Sequence, residues 1–181
     1  PAPDWSVRFQ AKTMHIDGLI VLLDQHTATP AILEEQSSLD LAPGCNEWFI
    51  NRARGLEHGF TIQQPDATNP QTLAIDLDVT SPLATHFDPA TQSVEFRDAD
   101  HRTQLLYRDL HVFDQTGREL PSALTLSNPL LGPTTITLAC NVDGATFPLL
   151  IDPVVATQNG VQRMPNFKLL SSDPIDILEL A

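Results

Sequence analysis

The 181-residue sequence predicts an all-β fold, an antiparallel β-sandwich-like single domain with a possible C-terminal strand extension. Three observations predict it. Apolar and polar residues alternate along many short segments, which is typical of strands with one buried and one wetter face. Turn-forming residues recur about every ten residues, a spacing found in sandwiches and barrels. No segment keeps a helical period, and fifteen prolines are unlike a helical bundle.

The first half of the chain contains several candidate strands, each defined by alternating or continuous apolar residues. Asp17-Gly18 separates the second from the third. Residues 31–41 are ambiguous, because Ile32–Glu35 would suit the start of a helix whereas Leu39 and Leu41 alternate as in a strand; the strand is favoured. The unambiguous candidates lie at residues 5–10, 14–16, 19–23, 46–51, 56–64 and 72–79.

The strongest local prediction in the second half is a hairpin around Asp143-Gly144. Apolar residues alternate on both sides of this pair, and Asp-Gly suits a two-residue type I′ turn. The register would place Cys140 opposite Phe147. A slip of one residue would expose the apolar set to water.

A long strand is also predicted before that hairpin. Its alternation places Leu106, Leu110 and Val112 on one face and Tyr107 and Phe113 on the other. Further candidate strands of the second half lie at residues 94–96, 120–126, 164–170 and 174–180.

The charge of the chain excludes some classes of partner. A net charge of −13 argues against nucleic acid, whose binding needs a basic surface, and against anionic lipid. The longest aliphatic run, Leu19–Leu23, is too short to span a bilayer. Pro1-Ala2-Pro3 is typical of a processed or trimmed start, which removal of an export signal would explain. We expect protein partners and no membrane insertion.

Two cysteines, Cys45 and Cys140, have no spacing typical of a zinc site. They are either a disulfide or two buried thiols. For an exported protein we expect the disulfide, because oxidising compartments keep such bonds. In the chain-entropy model a loop of this length would stabilise the fold by about 4–5 kcal/mol.

Three blocks of the sequence resemble segments of a β-domain in large secreted bacterial proteins. They are Asn46-Glu-Trp-Phe-Ile-Asn51 with Arg54-Gly-Leu-Glu-His-Gly-Phe60, Leu110-His-Val-Phe-Asp-Gln-Thr-Gly-Arg-Glu-Leu-Pro121, and Phe147-Pro-Leu-Leu-Ile-Asp-Pro153. In that family the module precedes propeller-type repeats (FG-GAP-like or SBBP-like) or Ig-like repeats. The resemblance extends from about Trp5 to Val155, and both cysteines depart from the family pattern.

The resemblance implies a structural module and supplies no catalytic residues. It implies a secreted, periplasmic or cell-surface location. It also suggests a division of the chain into a sandwich-like domain at residues 1–155 and a tail or added strands at 156–181.

One group of residues has the chemistry of an acid–base pair. Glu57 and His58 adjoin each other in sequence and follow Glu47 on the preceding strand. No nucleophile accompanies them, so a structural role is favoured over catalysis. We therefore predict that the chain is not an enzyme.

Carboxylates and histidines elsewhere suggest metal sites only weakly. Two ligands do not make a site, and no calcium-binding loop with its glycine and closing glutamate is present. Solvated strand faces and turns are the favoured interpretation, and no cofactor is predicted. The candidate pairs are His15/Asp17 and His86/Asp88 for a metal, and Asp76/Asp78 and Asp98/Asp100 for calcium.

The sequence as a whole favours a non-catalytic structural module of an exported or cell-surface bacterial protein. Its partners would be other domains of the parent chain or identical subunits. The alternative is a glycan- or calcium-binding β-sandwich module, and an exposed Trp5 or Trp48 would favour glycan. The tail either closes its own sheet or pairs with a neighbouring subunit. The candidate assembly strand comprises Ile175, Ile177, Leu178 and Leu180.

Overall fold

Strands alone form the regular structure of the described residues. In the computed structural model of this chain these are residues 5–23, 31–33, 36–52, 55–157, 167–169 and 178–180. The strands are, in chain order, β1 (Val7–Ile16), β2 (Leu19–Leu22), β3 (Ala31–Leu33), β4 (Gln36–Ala42), β5 (Cys45–Arg52), β6 (Gly55–Ile62), β7 (Thr72–Thr80), β8 (Ala84–Asp88), β9 (Ser93–Arg97), β10 (Thr103–Phe113), β11 (Ser122–Ser127), β12 (Thr134–Asn141), β13 (Leu149–Thr157), β14 (Phe167–Leu169) and β15 (Leu178–Leu180).

Two antiparallel sheets pack together as a β-sandwich, which confirms the predicted fold class. The first sheet has the order β11-β12-β7-β1-β15-β14, with β2 also paired to β1. The second sheet has the order β3-β4-β5-β6-β13-β10-β9-β8. Strands that are distant in sequence are therefore neighbours in both sheets.

The strand β7 illustrates how alternation builds the core. Leu73, Ile75, Leu77 and Val79 are buried, and the residues between them are half-buried on the outer face. Each such side chain contributes about 1.5–3 kcal/mol when removed from water. The prediction of a half-buried strand at residues 72–79 is confirmed.

Aromatic side chains connect the two sheets across the core. Phe9 of β1 lies 5.8 Å from Phe96 of β9 and 5.1 Å from Tyr107 of β10, measured between ring centroids. All three side chains are fully or almost fully buried. The sheets are thus joined by ring packing near the centre of the sandwich.

β-Bulges change which side chains face the core. In β1 the register shifts between Ala11 and Thr13, so that the buried positions change from odd to even numbers. The two strands predicted at 5–10 and 14–16 are therefore one continuous strand. In β10 a shift between Arg108 and His111 has the same effect. The predicted faces of β10 were wrong, because Tyr107 and Val112 are both buried.

The predicted hairpin around Asp143-Gly144 was wrong. A turn does occur there, with Ala145 N donating to Val142 O at 3.0 Å. However, β12 pairs with β11 and β7, whereas β13 pairs with β10 and β6 of the other sheet. The segment after the turn therefore carries the chain from one sheet to the other, and Cys140 pairs with Leu73 and Ser122 instead of Phe147.

The end of the chain supplies two short strands to the first sheet. Backbone pairing joins β15 to β1 in the register Val7 with Leu180, and joins β14 to β15. Upstream, β13 continues to Thr157, two residues beyond the predicted division of the chain at residue 155. The division itself stays a prediction.

Candidate functional site

A chain of three hydrogen-bonded polar side chains lies inside the core of the sandwich. Glu47 on β5, His58 on β6 and Tyr107 on β10 form what we term the buried polar chain. His58 Nε2 lies 2.8 Å from Glu47 Oε1, and His58 Nδ1 lies 3.2 Å from the Tyr107 hydroxyl. Tyr107 and His58 are 0% exposed and Glu47 is 1% exposed.

Strand register explains how the three side chains meet. β5 and β6 are adjacent antiparallel strands in which Glu47 pairs with Phe60 and Phe49 pairs with His58. Directly opposed residues lie on the same face of a sheet, so all four point into the core. The imidazole of His58 stacks on the Phe49 ring at 4.7 Å with an interplanar angle of 15°. Aromatic rings thus separate the imidazole from solvent.

The Tyr107 phenol keeps its proton. Burial, and then the charges of Glu47 and Asp152, raise the pKa of Tyr107 well above its ordinary value of 10. The imidazole of His58 lies between the Tyr107 hydroxyl and the Glu47 carboxyl group, so each group of the buried polar chain has a hydrogen-bond partner.

The buried polar chain cannot meet a substrate in this conformation. A general base must come within hydrogen-bond reach of the atom from which it takes a proton, and none of the three side chains is more than 1% exposed.

Glu57, the other half of the predicted acid–base pair, lies on the opposite face of β6 and accepts from Arg52 Nε at 3.4 Å. Adjacent residues of a strand point to opposite faces, which explains why Glu57 and His58 do not pair.

A second histidine–carboxylate pair lies on the outer face of the first sheet. His15 Nε2 is 2.8 Å from Asp76 Oδ2 and 3.2 Å from Thr13 Oγ1. Thr137 Oγ1 donates to the other carboxylate oxygen at 2.6 Å. Because one imidazole nitrogen contacts both the threonine and the aspartate, the arrangement lacks the two-sided relay of a Ser/Thr–His–Asp triad. The group stabilises the sheet surface.

The aspartates of both predicted histidine–aspartate pairs accept hydrogen bonds from backbone N–H groups. Asp17 accepts from the backbone N–H groups of Gln71 and Thr72, and these bonds lower its pKa. Asp88 accepts from Thr91 Oγ1 and from Ala90 N, which likewise lowers its pKa. The partner of His15 is therefore Asp76 and not Asp17.

The predicted calcium ligands are also placed in ordinary roles. Asp98 caps its own turn, accepting from Asp100 N and Arg102 N, each at 2.9 Å, and its pKa is lowered mainly by the Arg102 bond. Asp78 accepts weakly from Thr135 at 3.5 Å. Over the described ranges no three His, Cys, Asp or Glu side chains are grouped so as to hold a metal ion.

The predicted disulfide between Cys45 and Cys140 was wrong, since both are free thiols. Cys45 begins β5 of the second sheet and Cys140 lies in β12 of the first. The two thiols therefore belong to different sheets and are not bonded to each other. Burial raises the pKa of each thiol to about 12, with Glu47 and Asp40 adding to the effect at Cys45.

The candidate assembly strand is only partly covered by the described residues. Leu178 and Leu180 belong to β15, which pairs with β1 of the same chain. Ile175 and Ile177 lie outside the described residues. Pairing of this tail with a neighbouring subunit stays a prediction.

The sequence did not single out β2 as a surface feature. Leu19, Ile20 and Leu22 are 67%, 58% and 75% exposed, and β2 pairs with β1 and with no other described strand. Leu130 and Leu131, in the loop between β11 and β12, are almost completely exposed. The sequence signal for β2 was its continuous aliphatic run, which predicted a strand at residues 19–23.

The two tryptophans do not form an exposed platform. Trp48 is 7% exposed, and its indole covers Gly59 on the neighbouring strand, where even a methyl group would overlap the ring carbons. Trp5 is half-buried against the core. The feature that would have favoured glycan binding at these residues is therefore not found.

A cleft opens at one end of the sandwich between the β6–β7 and β12–β13 connections. It has a volume of about 290 Å³ and is lined by both polar and apolar side chains. Gln64, Asn69 and Gln71 form one wall, and Asp143, Gly144 and Phe147 form the other. The turn that sequence analysis interpreted as a simple hairpin is one wall of this cleft.

The fold and these features together define a β-sandwich module whose hydrophobic core contains one buried polar chain and whose strand β2 is apolar and exposed. No protein-family model, no curated protein and no solved structure matches the chain. The resemblance to the β-domain of secreted bacterial repeat proteins stays a prediction. Among the residues that the structure describes, no helix is long and apolar enough to cross a membrane.

Proposed function

We propose that this chain is a non-catalytic structural module of an exported or cell-surface bacterial protein, and that it associates with identical subunits through β2. The observation that carries the association is the exposure of Leu19, Ile20 and Leu22 on a strand with one described neighbour. The exported and bacterial parts of the proposal rest on the sequence resemblance.

The edge of β2 has both features that strand pairing between chains requires. Its outer side presents main-chain N–H and C=O groups that no described strand occupies. Its side chains add apolar surface that becomes buried when a second strand is added. Soluble chains rarely expose contiguous apolar surface without a partner. Two copies of β2 would pair antiparallel about a twofold axis.

The core provides a second, independent argument for a structural role. The buried polar chain lies on the inner face of the second sheet, where its hydrogen bonds connect β5, β6 and β10, and its groups satisfy one another. A fully satisfied polar network makes a core rigid and specific. The group that most resembles a catalytic site thus connects three strands of one sheet inside the core.

Sedimentation equilibrium over a hundredfold range of protein concentration tests the proposal. We expect reversible dimers, and we expect Leu22→Lys to weaken association at least tenfold. Leu131→Lys is the matched control, because Leu131 is equally apolar and 92% exposed but lies in the β11–β12 loop. It should leave association unchanged.

Salt gives a second, independent measurement. Each copy carries a net charge of −13, so the copies repel one another. Raising the ionic strength screens this repulsion and should tighten the dimer. A chain that stays monomeric at every concentration and salt level, with unprotected β2 amides in hydrogen exchange, would contradict association through β2.

A further inference from the structure

We propose that the cleft at the end of the sandwich binds one neutral saccharide residue. This adds a ligand to a module whose proposed role is otherwise structural. The cleft lies between two connections of the chain, residues 63–71 and 142–148. It is on the sandwich itself and involves neither tryptophan.

The two walls of the cleft are held together before any ligand arrives. Val142 N donates to Gln71 O at 2.9 Å, and Gln71 Nε2 donates to Asp143 Oδ1 at 3.0 Å. Gln71 N is in turn held by the Asp17 carboxylate at 2.9 Å. A ligand therefore finds a shaped site and orders little of the chain on binding.

The wall formed by Asp143, Gly144 and Phe147 is held in place by contacts with Arg118 and Asn141. Arg118 Nη2 donates to Gly144 O at 2.8 Å, and Asn141 Oδ1 accepts from Asp143 N at 2.9 Å. The Asp143 side chain uses Oδ1 for Gln71 and is exposed to solvent. Its second oxygen can therefore accept from a ligand.

The polar groups of the cleft select the charge of the ligand. None of the described residues that line it is Lys, Arg or His, and Asp143 repels anions. One carboxylate cannot hold a metal ion. Side-chain amides both donate and accept, while a carboxylate requires donors such as hydroxyl groups. The matching ligand is neutral and carries several hydroxyls.

Apolar surface in the same cleft selects the shape. Phe147 is half-buried against the core and lines the cleft together with Val142 and Pro70. An aromatic ring beside hydroxyl-binding groups suits a sugar ring, which has an apolar C–H face and a polar edge. The volume, about 290 Å³, lies at the small end of ligand sites and suits one ring.

Saturation-transfer NMR with glucose, galactose, mannose and N-acetylglucosamine at millimolar concentrations tests the inference on the full chain. We expect at least one sugar to bind with a millimolar Kd. Asp143→Asn and Phe147→Ala should each weaken it at least tenfold. Gln64→Ala provides a third variant, because its side chain donates only weakly to its neighbour Pro65, at 3.4 Å.

Asp66→Asn is the matched control, since it removes the same charge from an exposed residue of the same connection that does not line the cleft. It should leave sugar binding unchanged, and thermal unfolding checks that Phe147→Ala still folds. Three outcomes would overturn the inference: no sugar binds, the control weakens binding as much as Asp143→Asn, or a blocked alanine tripeptide binds in the cleft in preference to every sugar.

Discussion

Two histidine–carboxylate pairs in this molecule have the same separation and opposite surroundings. His58 and Glu47 meet at 2.8 Å in the core, where their side chains are 0% and 1% exposed. His15 and Asp76 meet at 2.8 Å on the outer face of the first sheet, where theirs are 32% and 26% exposed. Because the two pairs have the same separation, only their burial distinguishes their contributions to stability.

The two pairs should contribute differently to stability because they are desolvated to different extents. At the surface, water solvates either partner when the other is removed, so the pair contributes little. In the core, a polar group that loses its partner has no replacement, and its desolvation is uncompensated. We expect the buried pair to dominate stability, and the following variants test that ranking from the largest effect to the smallest.

Glu47→Ala should have the largest effect. It leaves His58 Nε2 without a partner in a ring-lined core, which costs about 1–3 kcal/mol, and the cavity left by the Glu47 side chain adds to that loss. Urea unfolding followed by fluorescence measures the loss. Glu47→Gln keeps an acceptor of nearly the same shape and should lose less. A loss below about 1 kcal/mol for Glu47→Ala would break the comparison.

Tyr107→Phe should have the next largest effect. The substitution keeps the ring that packs on Phe9 and removes only the hydroxyl that lies 3.2 Å from His58 Nδ1. An unsatisfied buried group costs about 1–3 kcal/mol. The same urea experiment measures it. Equal stability of the variant and the parent would show that His58 does not depend on this bond.

Asp114 provides an intermediate case, a carboxylate buried by its own turn. Its pKa is held well below the ordinary value of 3.8, first by the Thr116 hydroxyl and then by backbone N–H groups of Arg118, Thr116 and Thr146. A depressed folded pKa gives stability that is fully present above the unfolded pKa and is lost as the pH falls below it.

Asp114→Asn should therefore be less stable than the parent at neutral pH, and the two should converge as the pH falls below about 4. Thermal unfolding between neutral and acidic pH measures the difference. Asp66→Asn, at an exposed position, should show no such convergence. If the stability difference between Asp114→Asn and the parent grew as the pH fell, the prediction would be wrong.

Asp76→Asn should destabilise the protein least, by at most about 1 kcal/mol, because water can solvate His15 once the Asp76 charge is removed. The remaining amide oxygen still accepts from Thr137. Urea unfolding at low and high salt measures it, and the difference from the parent should shrink as salt screens the pair. A loss as large as that of Glu47→Ala would show that burial does not rank the two pairs.

Part of the candidate site could be predicted from the sequence. Glu47 and His58 were singled out in one group with Glu57, although the predicted acid–base pair was Glu57 with His58. Tyr107 was missed as their partner, because the bulge in β10 moves it to the core face and no local pattern predicts a bulge. The end cleft was missed because its walls come from connections about seventy residues apart.

A comparison of two Asp-Gly turns shows which features follow from local residue types and which depend on long-range strand pairing. Both pairs form turns, as their residue types require. At Asp17-Gly18 both residues have positive φ, 50° and 82°, and the turn joins β1 to β2 as a type I′ hairpin. At Asp143-Gly144 only the glycine does, and no hairpin forms.

The two turns differ because a strand can pair with only one neighbour on each side. Alternation by itself determined which side chains of β7 and β12 are buried, and hence that the chain folds as stacked sheets. It could not determine pairing. Strand β12 is already paired with β7 along its whole length and with β11 along most of it, so β13 has no free edge there and joins the opposite sheet.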